Sequence, residues 1–441
     1  MNTDARNHYL ADFGGIVDIL PGTDVPWLRQ LRSRALDVFA QRGFPTKRDE
    51  DWKYTSVAAF EKHAFRATAG NHAGKAARSL AERLVPGSDS GHVLVFHNGH
   101  YAPTLSSVGI LPAGAKLASL ADVLDAAPDV LEPYLANEEP DTTFGALNSA
   151  FMADGAYLHL RRGTVLDAPV HLLFLSTEPG GASHARNVIV AEEGAQATVI
   201  EHYVGMDGVV YFTNAVTRVF AAANAAITHY KLQQEAPDAF HVAGIHAVQQ
   251  RDSRIESHSF SLGAALARND ISTVFDATGC EAILNGLYLA GGQQHVDHHT
   301  RIDHRQPNGT SREYYRGVLD GQSHAVFNGK VIVQPGAQKT NASQVNHNLL
   351  LSREAEIDSK PELEIYADDV KCNHGATVGQ LDEAQLFYLR SRGINEMVAR
   401  NLLVHAFAHD VIERIRLAPL RARLEQILLA RLPQDDRMGA L

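Results

Sequence analysis

Two stretches of the chain gather side chains able to bind metal or move protons. The denser is HVDHHTRIDH, residues 295–304. Side chains alternate along a strand, so there His295, Asp297 and His299 would share one face while His298 and His304 share the other. Histidines at i and i+4 would then stand roughly 13 Å apart at the strand rise, too far to hold one ion. Neighbours at i and i+2 are separated by about half that, an awkward reach for imidazoles that bind at about 2.1 Å. The helical turn that makes a two-histidine zinc motif efficient is missing. The expectation is a hydrogen-bonded stack on one face; a metal site would need ligands from adjacent strands, such as His324 or His347.

The second stretch is DDVKCNHGATVG, residues 368–379. Cys372 and His374 are two apart, so on a strand they point to the same side. A thiolate beside an imidazole suits iron or zinc but supplies only two ligands, and a tetrahedral centre wants four. Asp368 and Asp369 could add oxygens, yet acids near a thiol raise its pKa and so disfavour the thiolate. A nucleophilic Cys–His pair is a third reading, weakened by the lack of any oxyanion motif. The chain has no GxxxxGK[ST] phosphate loop, no GxGxxG opening a helix, no GxSxG elbow and no HExxH.

The elements that must position these residues change in texture along the chain. Residues 1–150 read as a mostly helical domain: Val25 to Arg42 places Leu28, Leu31, Leu36 and Phe39 near one face, and Gly43 with Pro45 ends it. A polar loop, TKRDEDWKYTS, then carries Trp52 and Tyr54, read as aromatics that anchor a surface loop. Ala67 to Ser90 reads as an Ala/Gly-rich linker, and HVLVFHN as a short buried strand. Residues 151–380 are expected to form a β core. From about Ala156 to Gly379, short β-branched segments follow one another every 12–16 residues or so, with Gly, Asn, Asp or Pro between them. That spacing suits an antiparallel sandwich or a parallel solenoid, and more than 200 residues of it favours the solenoid. Residues 381–441 return to a helical period. Asp382 is a plausible N-cap, Gly393 a stop, and helices are expected from about Asn395 and about Pro419. Leu402, Leu403, Ala406, Phe407, Ile412 and Ile415 form the apolar stripe of the first of these. Arg414, Arg416, Arg421, Arg423 and Arg431 make an arginine-rich face, either a solvated surface or a docking site for an acidic partner.

Composition narrows the chemistry. The 441 residues carry 40 Lys plus Arg against 51 Asp plus Glu, a net charge of −11, which argues against nucleic acid as the main partner. Only two cysteines occur, Cys280 and Cys372, too few for a disulfide framework or a four-thiolate cluster. Histidine is frequent, at 23 residues. Metal chemistry must therefore lean on histidine or on thiolates from another chain. The opening MNTDARNHYLADF lacks the pattern of a secretory signal, no stretch approaches a membrane span, and a cytoplasmic location is expected.

The words FNGK, NLLLS, EIYADDVKC, HGATVG and FYLRSRG, within residues 299–394, resemble the SufB/SufD family of iron–sulfur cluster assembly proteins, nearest in wording to its SufD branch. PTKRDEDWKYTS matches more loosely, and residues 60–150 match poorly. The resemblance implies a right-handed parallel β-helix between helical end-domains. It also implies a non-enzymatic scaffold with no catalytic residues of its own. Such a subunit pairs with SufB through the β-helix core and binds the ATPase SufC through its C-terminal helices; a homodimer without SufB is left open. It implies further that a transient Fe–S cluster, or iron, is shared with SufB at their interface. His374, in HGAT, would be a ligand there, with Cys372 at the same interface. No cofactor would be held by the chain alone, and a flavin in the complex is left open. The competing reading is a β-helix enzyme that acts on a carbohydrate or small molecule through the 295–304 face.

Overall fold

The computed structural model describes residues 3–68, 70, 73–84, 91–140 and 142–433. From Ala156 onward the chain runs as strands of mostly nine to eleven residues, such as Phe212–Ala221, Phe240–Gln249 and Leu266–Phe275. Consecutive strands fall alternately into two ten-stranded sheets, and each pairs in parallel with the strands two places before and after it. Phe240 thus pairs with Phe212 below and Leu266 above. The result is a β-solenoid of about eight turns. A sandwich would need antiparallel neighbours; the strand spacing found in the sequence is half of one solenoid turn.

The corners explain how so loose a repeat keeps register. Asn224, Asp252, Asn308 and Lys339 have positive φ, a left-handed conformation that Asn and Asp tolerate better than most side chains. With Gly194 and Gly279 they form one stacked column, in which the N–H of Asn224 donates to Arg251 O and that of Asn308 to Gln338 O, one turn onward. At Gly321 the demand is steric as well: a Cβ there would meet the backbone of Gly292 at 2.9 Å.

The two ends of the solenoid differ. At the first end each sheet is closed by an antiparallel strand, Ala115–Ser119 on Ala156–Leu160 and His100–Tyr101 on His92–His97. His92–His97 itself pairs in parallel with Val170–Ser176, so the solenoid begins within the first third of the chain. Helices and loops of that third wrap one face through an aromatic cluster that includes Tyr9, Phe39, Phe44, Trp52, Phe60 and Phe144. The linker expected from Ala67 to Ser90 lies partly outside the described residues; inside it Lys75–Leu84 is a helix. Its Ala77, Leu80 and Ala81, at helical spacing, are buried against Val93, Val95 and Leu173. At the far end, Glu356–Ile365 and Lys371–Gly379 are the last strands of the two sheets, each with a single neighbour.

Three helices follow, Glu383–Ser391, Glu396–Ile412 and Ala418–Arg431. Asp382 caps the first through Ala384 N and Gln385 N, and Asn395 caps the second through Met397 N. They fold back alongside the solenoid instead of covering its end. Val404, Ala408, Val411 and Ile412 pack with Leu420 and Leu424 on the outward side chains Leu232, Phe260, Leu287 and Val318. Of the expected stripe, Ile412 and Ile415 are buried and Phe407 packs at the edge of this cluster, whereas Leu402, 47% exposed, and Ala406 lie outside it. Among the described residues no helix is long and apolar enough to cross a membrane.

Candidate metal-binding rung at the open end

Register fixes where Cys372 and His374 point. In Asn341–Leu350 the inward positions are Ala342, Gln344 and Asn346, all fully buried. Cys372, His374 and Ala376 pair with these three and continue the same inward columns. No further turn lies above them, so residues that would be core in any earlier turn are open: His374 is exposed and Cys372 half-buried. Cys372 rests on Val331, Val333, Ala337 and Ala342. Burial pushes its thiol up, partly offset by a backbone hydrogen bond at Ala342. The expected direction is right, but its cause is burial and not the neighbouring acids. Among the described residues, Cys372 and His374 join no set of three potential ligands within metal-binding reach. The strand puts the two on one face, and among the described residues no third ligand joins them.

Beneath His374 lies a polar column that sequence reasoning missed. Gln344, directly below, donates from Nε2 to Oε2 of Glu313 one turn further in, and Thr300 donates to the same oxygen at 3.2 Å. Burial raises the Glu313 carboxyl to about 7. Oε1 of Gln344 and Oε1 of Glu313 are buried without partners. The same strand, Thr310–Leu319, turns Tyr314 and Arg316 outward to Asp410 on the helix Glu396–Ile412; Arg316 Nη2 reaches it at 2.8 Å. One strand thus ties the helices to the column under His374. Its signal in the sequence was a lone Glu at an inward strand position, legible only once the register is known.

The run 295–304 is a strand, and its two faces divide as alternation requires. His298 and His304 point inward. His298 Nε2 lies 3.0 Å from Ser261 Oγ with its ring on Tyr288, and His304 Nε2 lies 2.9 Å from Ser311 Oγ. Burial lowers them to about 3 and about 4, so both stay neutral. On the other face Asp297 accepts from Thr55 Oγ1 at 2.6 Å and from Arg268 Nη1 at 2.8 Å, with His299 Nε2 at 3.1 Å. Arg268 lies 4.0 Å over the Trp52 ring and donates to Asp51 O. The hydrogen-bonded stack is what the structure contains, and it clamps the TKRDEDWKYTS loop to the solenoid; Trp52 is buried there, while Tyr54 is partly exposed. His347 lies elsewhere, 2.6 Å from Thr377. His324 meets the His295 ring edge-on and joins Glu356 and Asp358 instead.

The arginine face is spent on the chain itself. Arg414 stacks on Tyr314 at 3.9 Å, Arg416 meets Glu256 at 3.4 Å, and Arg423 and Arg431 donate to the carbonyls of Leu84 and Leu262. Among the charged side chains they expose, the last helices also leave apolar ones open: Phe387 at 74%, Tyr388 at 56% and Leu429 at 50%.

A parallel solenoid with one closed and one open end, a Cys–His pair at the open rung and helices folded along its flank defines a scaffold architecture. Residues 174–407 match the SUF system FeS cluster assembly SufBD core domain, and residues 3–172 match the SufBD protein N-terminal region. The chain belongs to the SufBD family of iron–sulfur cluster assembly proteins and is a homologue of SufD. It is 34% identical to the iron–sulfur cluster assembly protein SufD of Escherichia coli, over 92% of each chain. It is likewise 34% identical to an iron–sulfur cluster assembly SufBD family protein of Synechocystis, over 94% of this chain and 93% of the relative. SufD of Bacillus subtilis is 28% identical over 70% of this chain.

Proposed function

We propose that this chain is the scaffold subunit of a SUF complex, pairing with SufB through the open rung and with the ATPase SufC through its C-terminal helices. The observation that carries the reading is the inward Cys372–His374 pair left uncovered at the end of the solenoid. Two exposed sheet edges flank it, and unpaired edges are templates for another chain's strands. A cluster with four iron-ligand positions is not completed by one thiol and one imidazole, so its remaining ligands come from SufB. The cluster is cargo, and a shell shared across an interface lets it leave when the interface opens. The exposed Phe387, Tyr388 and Leu429 supply an apolar docking face for SufC. The link from Asp410 through Arg316 and Glu313 to Gln344 gives motion of those helices a path to His374.

Cluster reconstitution in the co-expressed complex tests this. His374→Ala should leave the complex intact and reduce assembled cluster at least tenfold; unimpaired assembly overturns the role of His374. Failure to co-purify with SufB and SufC overturns the scaffold reading. The enzyme reading loses ground on the groove beside the 295–304 face: among the described residues that line it, Trp52 is the single aromatic, and Arg268 already covers its ring.

A further inference from the structure

The described residues hold two clusters of potential metal ligands away from the open rung. One is His324 with Glu356 and Asp358, a single imidazole with two carboxylates, one of them exposed. The other has the composition that borderline transition ions prefer. His405 and His409 are one turn apart on Glu396–Ile412, so they lie on the same helical face, about 5–6 Å apart at Cβ. Their rings stack with centroids 5.5 Å apart and planes at 18°. Glu425, on the following helix Ala418–Arg431, reaches both: Oε2 lies 2.8 Å from His405 Nε2, and Oε1 contacts His409 Nδ1. All three donor atoms lie within 4.8 Å of one another.

We propose that His405, His409 and Glu425 form a binding site for a first-row divalent transition ion, of the Fe(II) or Zn(II) class. Two imidazoles and one carboxylate with further positions open is the donor set of non-haem iron and of three-ligand zinc sites. Around an ion with bonds near 2.1 Å, tetrahedral donor atoms stand roughly 3.4 Å apart, so the trio needs only small side-chain rotations. The helical spacing supplies what the strand 295–304 lacks, two imidazoles on one turn. The floor is apolar, with Val404, Ala408, Leu424 and Leu428 buried beneath, whereas the ligands are 22–43% exposed and open to an incoming ion. Because the ligands come from two helices, the bound ion would fix how the helices cross. An ion that binds the folded arrangement of these packed helices stabilises the folded state by mass action.

Co(II) titration of the full chain, read by visible d–d absorption, tests the site. Wild type should bind one equivalent with the bands of a four- or five-coordinate ion, and His324→Ala should do the same. His405→Ala and Glu425→Gln should each weaken binding at least tenfold and abolish the bands. Thermal melting adds a second readout: Co(II) should raise the wild-type midpoint and leave that of Glu425→Gln unchanged, while the two melt alike in chelator. If His405→Ala fails to fold, Glu425→Gln decides alone, since it keeps the side chain's shape. Co(II) bands that survive in Glu425→Gln, that vanish instead in His324→Ala, or that never form in wild type overturn the proposal.

Discussion

His298 and His374 occupy the same kind of position, inward on a strand of one solenoid, and differ in what lies above them. His298 faces Phe327 of the next turn and is sealed between Tyr288 and Tyr315; burial lowers it to about 3, and it serves as packing. His374 sits on the last turn, where the column stops. The closed site is dense in histidine, and its inward rings are buried and neutral, whereas the open one has a single imidazole on the same face as a thiol. Position in the stack decides the role of a histidine here more than the company it keeps in sequence.

The strongest way to break that comparison is to attack the closed site's outer face. Arg268→Ala leaves the Asp297 carboxylate buried at 0% exposure without its cation and removes the guanidinium from Trp52. Breaking one partner of a buried pair costs about 3–5 kcal/mol. Urea unfolding followed by tryptophan fluorescence should show a loss of that size. A loss within surface-substitution scatter would mean the clamp is decorative, and the 295–304 face would again be open to a functional reading.

His298→Ala comes next. Removing a ring enclosed by two tyrosines opens a cavity, and such truncations cost about 2–4 kcal/mol. Calorimetric melting should show it, while cluster assembly at a temperature where the variant is folded stays at wild-type level. An assembly defect in a folded His298→Ala complex would erase the distinction between the two histidines.

Much of this arrangement is legible in the residues. Alternation in segments such as ELEIYAD and the Asn, Asp and Gly corners point to stacked strands, and Asp382, Asn395 and Gly393 mark helix ends that the structure keeps. The pairing of Cys372 with His374 on one side follows from strand geometry alone. What is not legible is stacking order. Thr55 reaches Asp297 across 242 positions, and Gln344 reaches Glu313 across 31. No periodicity announces which turn is last, so the exposure of His374 is a property of the ladder. The contacts of the arginine face are hidden for the same reason: its partners Glu256, Leu262 and Leu84 are distant in the chain, although Arg414, Arg416 and Arg431 stay exposed as a solvated face would. So too the inward cluster of Glu201, His229 and Lys231, whose amine burial lowers to about 8, sits in segments that read as ordinary strands.

Glu313→Gln sharpens the comparison at the column joining closed core to open rung. The folded chain keeps the Glu313 proton up to about pH 7, whereas an unperturbed Glu loses it near 4.5. Between those values the folded state binds more protons, so wild-type stability falls as pH rises through this window. Above pH 7 the variant, which has no charge to bury, should be more stable by up to roughly 3 kcal/mol, since each tenfold change in proton affinity is worth about 1.4 kcal/mol. Near pH 4 the two should match. Urea midpoints measured from pH 4 to 8 check this, and parallel curves would remove Glu313 as a buried, neutral acid.

The smallest effect belongs to His374→Ala in the isolated chain. The ring is exposed, no turn packs on it, and exposed substitutions usually stay within about 0.5 kcal/mol. Its melting curve should overlay that of wild type, because truncating a ring with nothing above it opens no cavity and strands no buried partner. If the open rung is an interface as proposed, the same variant should become visible in the complex, where the column would gain partner groups. A His374→Ala chain that is strongly destabilised by itself would mean the last turn is already closed, and that His374 is packed as His298 is.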